Sequence, residues 1–407
     1  MFLLFCPKLL NMCISIFVKA PQNSLFYKIF AQIMALVGMG PCNWWWYQYP
    51  KLLKYFFKFQ ALSTAVLSFI CFSSQFVFLF QNNSRLDKNA LGIVYSIIPI
   101  GFLVSIKSAC SRTSAFKKLL TDFMDKIHLY NYYRNNKNEF YFQKLIQVER
   151  LTALVCLSLF IFMYCDWLAW MVTPVLYNIR NMETILNGTD NFHTCLYMWM
   201  PFDYLNDYNN WLIQNVINAY ITFLAVIIVV IFDMICYILI FNLIGHIQIL
   251  KHNMRTRFVD TINDEDTKQK LIDIIQHHYF ITETFKEVQH VFGLSVAANY
   301  LQNLLEDGLL MYQCMLGTLK RAGIMNRQHF NLNQFDLQTE DLSDTLYSNI
   351  PWETMSLSNQ KSFAIILAKF QPILEFQALG CFVAGIKPAI SVSSLKSQDY
   401  RFQMFRC

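Results

Sequence analysis

Residues Trp211 to Gly245 read WLIQNVINAYITFLAVIIVVIFDMICYILIFNLIG, and Asp233 is the only charge in the run. A helix needs about 20 apolar residues to cross the roughly 30 Å hydrocarbon layer. This run exceeds that length, so its end is expected to project beyond the bilayer as helix. Similar runs lie on either side. Phe59 to Phe80 carries no charge; Ala90 to Ile106 contains Pro99 and Gly101 and is bounded by Lys88 and Lys107; Leu151 to Pro174 contains one acid, Asp166. Val291 to Gly317 is weaker, with Glu306 and Asp307 inside it, and 362–394 is apolar but broken by Lys369, Pro372, Glu375, Lys387 and Pro388. The chain is read as an all-α, multi-span membrane protein.

Composition agrees. Of 407 residues, 55% are hydrophobic and 15% charged, against about 25% charged in ordinary soluble proteins. Several separate soluble cores could not be covered by so little polar surface. The twelve cysteines are scattered, and Cys71, Cys156, Cys165 and Cys236 sit inside apolar runs with no CxxC pair. They read as small core hydrophobes, with no metal or cofactor expected.

Lysine and arginine placement sets the orientation. The segment before the first span holds Lys8, Lys19, Lys28, Lys51, Lys54 and Lys58 and no acid. The connection after the second span runs from Lys107 through Arg112, Lys117, Lys118 and Lys126 to Arg150, and that after the fourth holds Lys251, Arg255, Arg257, Lys268, Lys270 and Lys286. The alternate connections carry Arg85 and Lys88, and Arg180. The N-terminus is therefore predicted to be cytoplasmic, and the net charge of +6 is absorbed by the inner loops, leaving no case for nucleic-acid binding. The acceptor pattern N-x-[ST] occurs at Asn82 and Asn187, both in loops that the charges place outside, which marks them as glycosylation candidates. Met1 to Val18 lacks a small-residue cleavage site and is not read as a signal peptide. Trp44, Trp45, Trp46, Tyr47 and Tyr49 ahead of Lys51 read as an interfacial aromatic belt.

No phosphate loop, G-x-S-x-G or H-E-x-x-H is present, so the chain is not expected to be an enzyme. The pair His277 and His278, within the mixed-charge stretch 260–287, reads as part of a solvated amphipathic helix. Asp166, beside Trp167, Trp170 and Met171, either lines a cavity or is hydrogen-bonded near the interface. Asn215, Asn218, Ala219 and Thr222 recur on one face of the fourth span. Such a stripe makes either an apolar pocket with a few polar handles or helix-to-helix hydrogen bonds.

Several runs together resemble the insect odorant receptors. They are Met198-Trp-Met-Pro-Phe-Asp203 before the fourth span; His246-Ile-Gln-Ile-Leu-Lys-His252, with His277-His278 and Phe292; and Leu342-Ser-Asp-Thr-Leu-Tyr347, Trp352, Gln360-Lys361-Ser362, Gln371-Pro372, Gly380 and Leu395-Lys396. The resemblance implies a seven-transmembrane helical bundle that binds a small volatile odorant. It also implies a heterotetramer with the odorant co-receptor, forming a ligand-gated non-selective cation channel in the plasma membrane of olfactory neuron dendrites. The family's pocket corresponds here to Val94, Tyr95, Trp167, Trp170, Met171, Asn215, Asn218 and Thr222, and its pore gate to Met404. The expected layout is a cytoplasmic segment 1–58, spans one to five within 59–317, an anchor-helix region 342–379, and the last span with the pore helix at 380–407. Two departures stand out. Lys320, Arg321, Arg327 and the polar stretch Gln328 to Gln338 cannot cross lipid, so the sixth span is expected to be missing or degenerate at 318–341. Gln398-Asp-Tyr-Arg401 places charges in the pore helix. The competing readings are a multi-span lipid-modifying enzyme or transporter, and a non-functional receptor remnant.

Overall fold

The computed structural model describes residues 20–39, 50–82, 88–258, 264–315, 342–350 and 352–371, together with two short strands at 377–378 and 382–383. The aromatic belt at 44–49, the region 318–341, Met404 and the charged run 398–401 lie outside the described residues. The helices are α1 (Leu25–Leu36), α2 (Lys51–Asn82), α3 (Lys88–Cys110), α4 (Ser114–Asp122), α5 (Leu129–Asn136), α6 (Glu139–Arg180), α7 (Met182–Leu186), α8 (Tyr208–Thr256), α9 (Asp264–Met315), α10 (Leu342–Asn349) and α11 (Leu357–Phe370). A π-turn at Phe123–Ile127 joins α4 to α5. The strands β1 (Gln377–Ala378) and β2 (Phe382–Val383) pair antiparallel, too short to alter an all-helical class.

Among the described residues, α2, α6 and α8 are each long and apolar enough to cross a bilayer, and a pair bent by 67°, Val94–Cys110 with Ser114–Asn136, makes a fourth. The first four apolar runs are helical, within α2, α3, α6 and α8. α8 continues past Gly245 to Thr256, so the longest run does end in a helix that outreaches its span. Its second half, from Ile227 to Met254, is almost wholly buried. A helix apolar on every side is stable only when surrounded, and α3, α6, α9 and α10 supply that surround. Gly245 is required by close approach: a Cβ there would collide with the Leu129 side chain of α5.

Two charges that the sequence places apart meet inside this core. Lys107, read as the boundary of the second run, is 0% exposed, and its Nζ donates to Asp233 Oδ1 at 2.7 Å and Oδ2 at 2.9 Å. The single acid of the longest run is thereby neutralised by a lysine from α3. Nearby in the same bundle, α1 docks through Tyr27, whose hydroxyl donates to Glu149 Oε1 at 2.9 Å. His128 Nδ1 accepts from the Tyr130 backbone N–H, so Nε2 carries the proton and faces the same Glu149 oxygen at 2.9 Å.

The expectation of a solvated histidine pair is corrected. His277 is 7% exposed, because α9 packs its 277 face against α8 and α5. His246 Nε2 lies 2.8 Å from Ile127 O, and a carbonyl only accepts, so Nε2 is protonated. His246 Nδ1 then accepts from His277 Nε2 at 3.1 Å, and His277 Nδ1 faces the Tyr132 hydroxyl at 3.4 Å. His278, one residue on, stacks on Phe370 of α11 with centroids 3.8 Å apart. Burial pushes His246 down to about 4 and His277 well below the ordinary histidine value. Both are neutral when packed, whereas the unfolded chain takes up protons below about pH 6.5. Stability is therefore complete above that pH and falls as pH drops toward 4. The melting temperature of the solubilised protein is expected to decline from pH 7.5 to pH 5, with a shallower slope in His246→Gln/His277→Gln. An equal slope in that variant would place the acid sensitivity elsewhere.

Candidate functional site

α8 starts where Asp207 caps it, its carboxylate accepting from the backbone N–H groups of Asn209 and Asn210. From that start the helical period aligns Trp211, Asn215, Asn218 and Thr222 along one face, turned toward α6. Trp167 on α6 donates its indole N–H to Thr222 Oγ1 at 3.0 Å, and the Thr222 hydroxyl donates to the Asn218 carbonyl at 2.6 Å. Met171 Sδ lies 3.5 Å from the same hydroxyl. Trp167, Met171, Asn218 and Thr222 are thus brought together as one contact between the third and fourth spans.

The connection between α7 and α8 packs onto this contact. Asn218 Nδ2 donates to Thr194 Oγ1 at 2.5 Å and to the Leu196 carbonyl at 3.0 Å, while Gln214 Nε2 donates to Asn218 Oδ1 at 2.9 Å. Trp170 donates its indole N–H to the Cys195 carbonyl at 3.1 Å, and Trp211 does the same to His193 O at 2.9 Å. Asn178 brackets His193 from both sides: its Nδ2 donates to His193 O and its Oδ1 accepts from His193 N–H. The Trp199 backbone N–H reaches Ser74 O on α2 at 3.1 Å. Cys195, Leu196 and Met198 are buried against Cys71, Ile97, Met171, Met200 and Ile221. Burial pushes the Cys195 thiol up to about 12. At the entry to α8, the Asn206 side-chain amide, with the Leu205 and Asn206 backbone N–H groups, holds the Asp203 carboxyl below its usual range. The loop is thus fastened to the first, third and fourth spans.

The other expected site residues divide. Val94 is buried with Phe78, Tyr197 and Tyr204, so it faces the loop. Tyr95, one position on, is 39% exposed and points another way. Asp166 lies on the exposed face of α6, turned away from the Trp167–Thr222 contact. Asn82 closes α2, with Nδ2 donating to Phe78 O. Asn187 is exposed after α7, followed by Gly188 with a positive φ of 72°. Among the described residues no group of three or more His, Cys, Asp or Glu side chains is placed to hold a metal ion. A small apolar cavity lined by Tyr27, Phe30, Leu120, Phe123, Ile235, Ile238 and Leu239 lies far from the stripe, beside the α1 docking site.

The structural role of the α7–α8 connection is absent from the sequence reading, which used Met198 to Asp203 only as a family motif. A signal was available, since 195–202 reads CLYMWMPF, and a stretch that apolar between two spans must bury itself somewhere.

The profile of the 7tm odorant receptor family matches residues 92–326, more than half of the chain. Among solved structures, the insect olfactory receptor OR5 from Machilis hrabei is similar with a TM-score of 0.72, covering 93% of this chain and 97% of that chain at 13% identity. The same receptor in complex with eugenol gives a TM-score of 0.69, with 95% and 100% covered at 14% identity. Comparison with curated protein sequences returns no match. With its bilayer-length helices, the shared fold and the matched profile, this chain belongs to the 7tm odorant receptor family, as a multi-pass membrane protein.

Proposed function

We propose that the chain is an olfactory receptor subunit that binds a small volatile odorant and, assembled as a heterotetramer with the odorant co-receptor, opens a non-selective cation channel. The observation that carries the reading is the polar stripe of α8. Thr222 meets Trp167 and Met171 and is tied to the Asn218 carbonyl, Asn215 lies on the same helical face, and a few polar handles among apolar and aromatic side chains are the composition of a small-molecule site. From α3 the proposed site takes in Val94, buried against Phe78, Tyr197 and Tyr204, and the exposed Tyr95 next to it. The similarity to a receptor solved with eugenol supports a volatile ligand.

In this reading the N-terminus is cytoplasmic, the protein resides in the plasma membrane of olfactory neuron dendrites, and Asn82 and Asn187 carry glycans. Met404 lines the gate, where a ring of apolar side chains closes a pore by excluding water. The region 318–341 stands in place of a sixth span, and transcript reads across it decide whether a coding segment has been lost there. The test of function is co-expression with the co-receptor in a heterologous cell: odorant-evoked cation current is expected, and none from the chain alone. Silence across a broad odorant panel despite surface expression would favour a non-functional remnant.

A further inference from the structure

The first span begins with a line of cations. Lys51, Lys54 and Lys58 stand at three- and four-residue spacing at the start of α2, which puts them on one ridge of the helix. Lys51 and Lys58 are exposed and Lys54 is half-buried, and none of the three has a carboxylate partner among the described residues. No acid precedes Asp87 in the chain. Ala61, three residues after Lys58, continues the ridge, and a fourth cation is fixed there from the end of α3. The Arg112 guanidinium donates to the Ala61 carbonyl and, through Nη1, to Ser108 O and Oγ at 2.6 Å. Leu52, Tyr55, Phe59 and Leu62, on the adjoining face, are exposed.

The length of α2 sets the depth of these charges. Its 32 residues extend about 48 Å, against about 30 Å of hydrocarbon. The charge-free part from Phe59 to Phe80 fills that layer, so the lysines stand in the headgroup zone beyond it, where cations attract anionic lipids. Lys51 and Lys58 are about 10 Å apart along the axis, whereas a headgroup layer is only about 5–7 Å deep. A lipid with a single phosphate therefore meets one end of the ridge. A lipid with phosphates at two depths meets all of it, its diester beside Lys58 and Arg112 and its outer phosphates beside Lys51 and Lys54. The exposed apolar side chains alongside suit a ligand with acyl chains rather than a free phosphate. We infer that this ridge binds the headgroup of a multiply phosphorylated inositol lipid.

The test uses the purified full-length chain and native mass spectrometry, which resolves bound lipids by mass. The probes are short-chain phosphatidylinositol bisphosphate, phosphatidylserine and phosphatidylcholine, with soluble inositol trisphosphate as the headgroup alone. Each lysine engaged is worth about fivefold in affinity. The bisphosphate lipid, meeting two more lysines, is therefore expected to bind about 25-fold more tightly than phosphatidylserine. Lys51→Gln/Lys54→Gln should abolish that preference and leave phosphatidylserine binding nearly unchanged, and Lys58→Gln should weaken both lipids about fivefold. Lys51→Arg/Lys54→Arg keeps the charges and should keep the preference. Because the preference is a ratio within one protein, partial loss of folded material does not disturb it. Equal binding of the two anionic lipids by the wild type, or a preference that survives Lys51→Gln/Lys54→Gln, overturns the inference and leaves the lysines to general attraction by an anionic surface. Inositol trisphosphate binding as tightly as the lipid overturns it in favour of a soluble phosphate.

Discussion

Lys107→Leu is expected to deprive the protein of a stable fold, with little mature material reaching the cell surface. Lys107 is wholly enclosed, and its ammonium is bonded to both oxygens of Asp233. Removing the lysine leaves a carboxylate in the most apolar part of the chain with its principal counter-ion gone. Breaking such a buried pair from one side costs about 3–5 kcal/mol, whereas replacing both partners by apolar side chains is often neutral. The double variant Lys107→Leu/Asp233→Leu is therefore expected to recover most of the surface expression and melting temperature. Equal expression of the single variant and the wild type would show that the pair contributes little. The pair also joins α3 to α8, so the double variant tests whether the ionic link serves gating as well as packing: normal folding with altered odorant-evoked current separates the two roles.

The second large effect is expected at Asn218. Its side chain accepts from Gln214 and donates to Thr194 and Leu196, so Asn218→Leu orphans several buried groups at once, at about 1–3 kcal/mol each. The groups lost are those that fasten the α7–α8 connection to the stripe, and the damage is therefore expected to concentrate there. Limited proteolysis of the solubilised protein should cut between Gly188 and Asp207 in the variant while the wild type resists. Asn218→Asp keeps the acceptor but loses the two donated bonds, and should fall between. A loop equally resistant in Asn218→Leu would show that the packing of Cys195, Leu196 and Met198 suffices to hold it.

These sites differ in how far they could be read in advance. The spacing of Asn215, Asn218 and Thr222 predicts one helical face, and α8 places them on one face. That Asn218 and Thr222 are consumed by the loop and by Trp167, while Asn215 and Gln214 each keep an unpartnered atom among the described residues, could not be read from spacing, because the partners lie 22 to 55 positions away. The same distance hid the histidine chain. His277 sits among charges in the sequence, and local composition alone describes a solvated face; its partners His246 and Tyr132 belong to other helices.

What the sequence determined by itself is the bilayer as solvent and the helical class. Apolar runs longer than the hydrocarbon layer must satisfy their backbone internally, so α2, α6 and α8 follow from composition and length alone. Its motifs also led to the right family. What only the tertiary structure decided is which polar groups meet. Lys107 read as a loop charge became the partner of Asp233, and the connection between α7 and α8 became a packed element fastened to three spans. Periodicity fixes the direction of a side chain around its own helix, but a hydrogen bond or ion pair needs a second group within about 3 Å, and that distance is set by how separate helices pack.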